Sequence, residues 1–137
     1  MPTMRKFSFN KLGRDRLFKK WLSEGVIAKT IILDDAAYFN SLKDKLLEEA
    51  QEVAVATPHE LQEELADVLE VVHAIAQAAG FSMESIEKAR ETKYEVRGGF
   101  QERTFVEWAQ FPEGHPTIAY CLQNADRYPE IVDEKVQ

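Results

Sequence analysis

Between Ala36 and Arg97 the sequence keeps a helical period almost without pause, broken only around Pro58 and Gly80. Apolar residues recur every three or four positions in the first stretch (Phe39, Leu42, Leu46, Ala50, Val53) and again in the second (Leu61, Leu65, Val68, Leu69, Val72, Ile75, Ala79). The spacing predicts one helix over roughly 36–56, stopped ahead of Pro58 because the residue before a proline resists helical geometry. A second helix opens on Thr57-Pro58-His59-Glu60, with Thr57 as N-cap, Pro58 in the first helical position and Glu60 closing a capping box. Gly80 ends it, Ser82 caps a third helix, and that helix runs to Gly98-Gly99. Connections this short force successive helices to lie antiparallel. The expected fold class is therefore all-α, an antiparallel helical bundle.

The flanks add less. Residues 1–26 are basic and predict a short helix over Arg14 to Ser23, ended by Gly25. The β-branched run "AKTIILDD" reads as a short strand followed by an N-cap at Asp34 or Asp35, and "FQERTFVEW" alternates as a strand that pairs with it, giving a small two-strand β element. From Ala109 the chain carries Pro112, Pro116 and Pro129, which predicts an irregular tail with a helical turn around Ile118 to Asp126. The expected division is a domain over 1–107 and a tail over 108–137 that packs on the domain or on a partner subunit.

A chain of 137 residues is of single-domain length. Its one cysteine, Cys121, closes no internal disulfide, the first residues lack the apolar stretch of a secretory signal, and no apolar run reaches the roughly 18 residues of a membrane span. A soluble, cytoplasmic protein is the expectation. The net charge of −7 argues against binding long nucleic acid through its phosphates, which needs a broad basic surface. The charge is uneven: acids concentrate between Asp34 and Glu102, whereas Arg5, Lys6, Lys11, Arg14, Arg16, Lys19 and Lys20 crowd the first twenty residues.

Turning each residue by about 100° shows where the acids of the two main helices point. Glu49 falls beside Leu42 and Val53, inside the apolar sector, and Glu52 sits at its edge. Glu64 lies between Val68 and Val71, and Asp67 at the margin beside Val71 and Ala78. Glu48, Glu63 and Glu70 point to the wet side, as ordinary surface acids do. An unpaired carboxylate on a core face costs several kcal/mol of desolvation or takes up a proton, so something compensates Glu49 and Glu64. One compensation is a buried ion pair, with Lys45 and the bases of the third helix as candidates; the other is a divalent cation. The spacing favours the cation. Glu49 with Glu52, and Glu64 with Asp67, are i, i+3 pairs that place carboxylates on adjacent turns facing one way, and two antiparallel helices bring both pairs together. An all-oxygen donor set suits Mg²⁺ or Mn²⁺ rather than Zn²⁺. In the third helix Arg90, Lys93 and Arg97 continue the side begun by Met83, Ile86 and Ala89; beside an acidic metal site such a stripe reads as a polyphosphate clamp, and by itself as snorkelling surface bases.

"EEAQE" (Glu48 to Glu52) followed by "ELAD" (Glu64 to Asp67) resembles the EExxE then ExxD signature of the MazG-like, all-α nucleoside triphosphate pyrophosphohydrolases. "FNKLGRDRL" near the start and "KYEVRGGFQERTF" after the third helix resemble the branch related to phosphoribosyl-ATP pyrophosphohydrolase, whose members commonly read YNKLVRDKI and KRGGF. The likeness runs over roughly residues 8–106. Gly13 and Leu17-Phe18 depart from it, and the tail after Trp108 lies outside it. The resemblance implies a bundle completed by dimerisation and Mg²⁺-dependent cleavage between the α and β phosphates of a nucleotide, with Mn²⁺ as a substitute. It implies Glu49, Glu52, Glu64 and Asp67 as metal ligands, and Glu48 as the first acid of the motif, which holds a second ion or activates water alongside Glu49. Lys93 and Arg97 match phosphate-associated positions, with Arg90, Arg103, Lys11 and Arg14 as further candidates. The expected partners are a nucleoside triphosphate and a second copy of the chain, with no membrane.

Three other readings stay open. Phosphoribosyl-ATP is the narrower substrate. "EVVH" (Glu70 to His73) supplies one Glu-x-x-His pair of a di-iron bundle, but no second copy exists, and His59 and His115 have no placed partner. A catalytically silent module that keeps the fold and binds a nucleotide or dimerises is the non-enzymatic rival.

Overall fold

The computed structural model describes residues 3–132, and all regular structure among them is helical. The helices are α1 (Asp15–Ser23), α2 (Asp35–Val55), α3 (Leu61–Ala79), α4 (Met83–Arg97) and α5 (Pro116–Gln123). The chain divides into two compact units, the first ending at Arg97 and the second beginning at Gly98.

In the first unit the helix ends follow local chemistry. The Asp34 carboxylate accepts a hydrogen bond of 2.8 Å from the Ala37 N–H and starts α2. Before α3, the Glu60 carboxylate accepts from the Thr57 N–H at 3.3 Å, so Thr57 to Glu60 form a capping turn and the regular helix begins one turn later than the sequence suggests. Gly80 closes α3 in the left-handed region at φ 84°, which a residue with a Cβ adopts only at a cost. The Ser82 hydroxyl then accepts from the Ser85 N–H at 3.1 Å to open α4.

The packed heart of this unit is the α2–α3 hairpin. Its most buried side chains are Leu42 on α2 and Val71 and Ala76 on α3. The side of α3 that meets α2 is centred on Val71, with Glu64, Val68 and Ile75 partly covered beside it. Leu61, Leu65 and Leu69, expected on the same face, lie open, Leu69 being 52% exposed. One neighbouring helix covers only part of an apolar sector as wide as that of α3.

Two expectations need correcting. The helix after Gly80 does not fold back alongside α3: the axes of α3 and α4 meet at a bend of 109°, and only Met83 and Ile86 of α4 are partly covered. The single left-handed glycine turns the chain sharply but leaves α4 to diverge. The two-strand β element is likewise not formed among the described residues; both segments are irregular, and Ile32 is 98% exposed. β-propensity is a preference for a pleated, half-covered surface, and a lone β-branched run with no strand to pair with has none. No single helix among the described residues is long and apolar enough to cross a membrane.

In the second unit, α5 is capped by His115, whose Nδ1 accepts from the Thr117 N–H at 3.1 Å, with Pro116 in the first turn and the Phe111 ring 5.0 Å from the imidazole. That contact accounts for a histidine the sequence left unplaced.

Since so few residues close the α2–α3 seam, Leu42→Ala is expected to destabilise the protein by about 2–4 kcal/mol, read as a fall in the urea midpoint with little change in slope.

Candidate active site

Halfway along the hairpin the seam turns from apolar to acidic. Carboxylate oxygens of Glu49 on α2 and of Glu64 and Asp67 on α3 come within 4.8 Å of one another, and all three residues are half-buried. Helix geometry explains the convergence: Glu49 lies two turns beyond Leu42, and Glu64 and Asp67 lie one to two turns before Val71, so the acids occupy the end of the seam nearest the Thr57–Glu60 turn. Glu52 is exposed and outside this trio, but its charge reaches it.

The charge of the acids is unevenly answered. The Lys45 ammonium, itself mostly covered, lies 3.3 Å from Glu48 and 3.5 Å from Glu49, whose side chain is only 13% exposed. The entry segment supplies two further cations: Lys11 Nζ donates to Glu48 Oε1 at 2.7 Å, and Arg14 Nη2 donates to Asp67 Oδ1 at 2.7 Å. Hydrogen bonding from Lys11 and the Lys45 charge hold the Glu48 carboxyl below its ordinary value of 4.5 against the opposing effect of burial. The stability that this contact contributes is therefore present above pH 4.5 and is lost as the pH falls through the folded value. Glu64 has no ion-pair partner among the described residues. Burial, reinforced by the charges of Glu52, Asp67, Glu49 and Glu60, pushes its carboxyl above 4.5.

Of the two compensations foreseen for core-facing acids, the ion pair is formed. Lys45 supplies it, while Glu49, Glu64 and Asp67 retain a cluster of like charges whose oxygens lie within 4.8 Å of one another, so the three could share one cation. Hard oxygen donors with no thiol or imidazole fit Mg²⁺ or Mn²⁺.

The remaining expected site residues are distributed differently. Glu48, which helical projection puts on the wet side, is half-buried because the entry segment lies over that side of α2. The only hint of this in the sequence is the contrast between a basic start and acidic helices. Arg90 is engaged by Glu87 on its own helix, at 2.9 Å from Nε. Lys93 and Arg97 are exposed along the divergent α4 and form no ion pair among the described residues. Arg103 belongs to the second unit, where it sits in a turn after Phe100 with a positive φ of 61°. Glu70 and His73 are exposed on α3 and take no part in the acidic cluster.

The raised pKa of Glu64 gives a signed expectation. A carboxyl raised on folding costs stability above its folded pKa and regains it as the pH falls. Glu64→Gln is therefore expected to raise the Tm in EDTA at neutral pH and to abolish most of the Mg²⁺-induced rise seen in the parent, both read by thermal melts.

No curated protein and no solved structure matches the chain significantly. The family model described as the MazG nucleotide pyrophosphohydrolase domain matches residues 38–98, and over that stretch, which carries most of α2, all of α3 and α4 and the converging carboxylates, the chain is similar to that family.

Proposed function

We propose that the protein is a Mg²⁺-dependent nucleotide pyrophosphohydrolase that splits a nucleoside triphosphate between its α and β phosphates into the monophosphate and pyrophosphate. The observation that carries this reading is the convergence of Glu49, Glu64 and Asp67 within the region that matches the family. Those three residues would hold the metal, with Glu52 at the exposed edge. A divalent cation bound there supplies charge neutralisation of the polyphosphate and activation of water for in-line attack at phosphorus.

The chain's own residues perform the rest. Glu48, held beside the acids by Lys11 and Lys45, would accept a proton from the attacking water, although these two cations weaken it as a base. Lys11 and Arg14, carried by the entry segment to the rim of the acids, hold phosphate oxygens, and Arg14 can present its planar fork to a phosphate in place of Asp67. Lys93 and Arg97, on the diverging α4, serve as phosphate ligands if that helix lies against the site of a second copy.

That arrangement accords with a homodimer. Leu61, Leu65 and Leu69 form an open apolar stripe on α3, and the first unit buries few side chains for its size. A second copy seated on the stripe covers it and gives α4 a neighbour. Leu65→Glu is expected to convert the dimer to a monomer in light scattering, with the helical far-UV CD largely kept.

The activity is tested by pyrophosphate release from a panel of canonical and modified nucleoside triphosphates and phosphoribosyl-ATP, with Mg²⁺ or Mn²⁺. Glu49→Gln and Glu64→Gln are each expected to lose at least the 10–100-fold that even outer partners of a metal site can cost. Well-folded protein that releases no pyrophosphate from any of them would favour the silent binding module.

A further inference from the structure

The entry segment and α2 enclose a cleft of about 280 Å³ lined by Phe9, Asn10 and Lys11 on one side and Ser41, Asp44, Lys45 and Glu48 on the other. It shares Lys11, Lys45 and Glu48 with the acidic site, so its inner end is the phosphate and metal end. From there Asp44 and Ser41 continue the same side of α2 away from the acids, and Ser41 stands on the order of 12 Å before Glu49 along the helix axis. That is a span comparable with a nucleoside laid out from its 5′-phosphate.

The outer end has the chemistry of a base site. Phe9 is 56% exposed, while its ring is anchored edge-on against Trp21 with the centroids 5.5 Å apart, so it offers a fixed aromatic surface. Asn10 holds a left-handed backbone at φ 47°, a conformation that non-glycine residues other than Asn and Asp seldom adopt, and this bend lets the chain present Phe9 to Trp21 and Lys11 to Glu48 in succession. Its amide nitrogen donates to Ser8 Oγ at 2.9 Å, leaving the amide oxygen as an acceptor. Asp44 forms no hydrogen bond or ion pair among the described residues, although it lies on a cleft wall.

We propose that this cleft is the nucleoside subsite and that Asp44 reads a base presenting adjacent N–H donors, the guanine edge, with Phe9 stacking on the ring. The inference rests on the nucleotide reading above and adds to it the direction in which the nucleotide lies and the group that selects its base. An ionised carboxylate only accepts, and its two oxygens match a ring N–H beside an exocyclic amine. A base that offers a carbonyl in either position places oxygen against oxygen and is disfavoured.

The test needs no turnover. Guanosine 5′-monophosphate and xanthosine 5′-monophosphate are titrated in MgCl₂ into the full chain and into Asp44→Asn and Phe9→Ala, by calorimetry and by amide chemical shifts. Both substitutions are at exposed side chains, and unchanged CD and Tm verify the fold. Supporting results are shifts at Phe9, Ser41 and Asp44 on adding the guanosine nucleotide, at least tenfold weaker binding of it by Asp44→Asn, and a narrowed gap between the two nucleotides in that variant. Equal affinity in parent and Asp44→Asn, shifts confined to other residues, or no binding by the folded parent overturns the proposal. Loss of the cleft alone would be seen as pyrophosphate release indifferent to both substitutions, whereas failure of the enzymatic reading leaves no release at all.

Discussion

Carboxylates at the end of a helix–helix seam are the constraint on which the rest of this molecule depends. The α2–α3 hairpin has to supply enough apolar contact through Leu42, Val71 and Ala76 to hold two helices together while Glu49, Glu64 and Asp67 push them apart at the other end. Like charges so close are unfavourable by themselves, and they add to the larger effect of burial in raising the Glu64 carboxyl. The fold answers with Lys45 from within α2 and with Lys11 and Arg14 from the entry segment. Lys45 and Glu49 are largely covered, whereas the pairs made by Lys11 and Arg14 are exposed and contribute little stability each. Their more telling effect is to leave Glu64 unpaired while tying the basic segment over α2.

The same economy shapes the exterior. A hairpin of two long helices covers one sector of each, and α4 leaves at a steep angle instead of closing the other side of α3. Leu61, Leu65 and Leu69 are left open as a consequence, and Lys93 and Arg97 lie exposed on the divergent α4. The uncovered apolar stripe is the feature that the proposed second copy would cover.

Much of the site was legible in the sequence because helical periodicity is rigid. Once α2 and α3 are accepted as helices, the i, i+3 spacing puts Glu49, Glu64 and Asp67 on the inner faces, and their convergence needs only an antiparallel pair. Glu48 was harder to read. Projection of α2 alone sends Glu48 to solvent; what covers it is an irregular segment with no period, held by Lys11 and by the Phe9–Trp21 contact. The strands expected around Ile31 and Phe105 failed for a related reason, since pairing is a property of two segments and neither sequence contains its partner.

The sequence by itself determined the helical elements, their caps at Asp34, Ser82 and Gly80, and the identity of the acids that face inward, because each of these follows from local hydrogen bonding and a fixed turn of about 100° per residue. Tertiary structure alone decided which side of α3 is covered, the 109° departure of α4, and the closure of the entry segment over α2 with the cleft beneath it. Those outcomes depend on competition between distant surfaces for the same contact, and no local spacing encodes which surface wins.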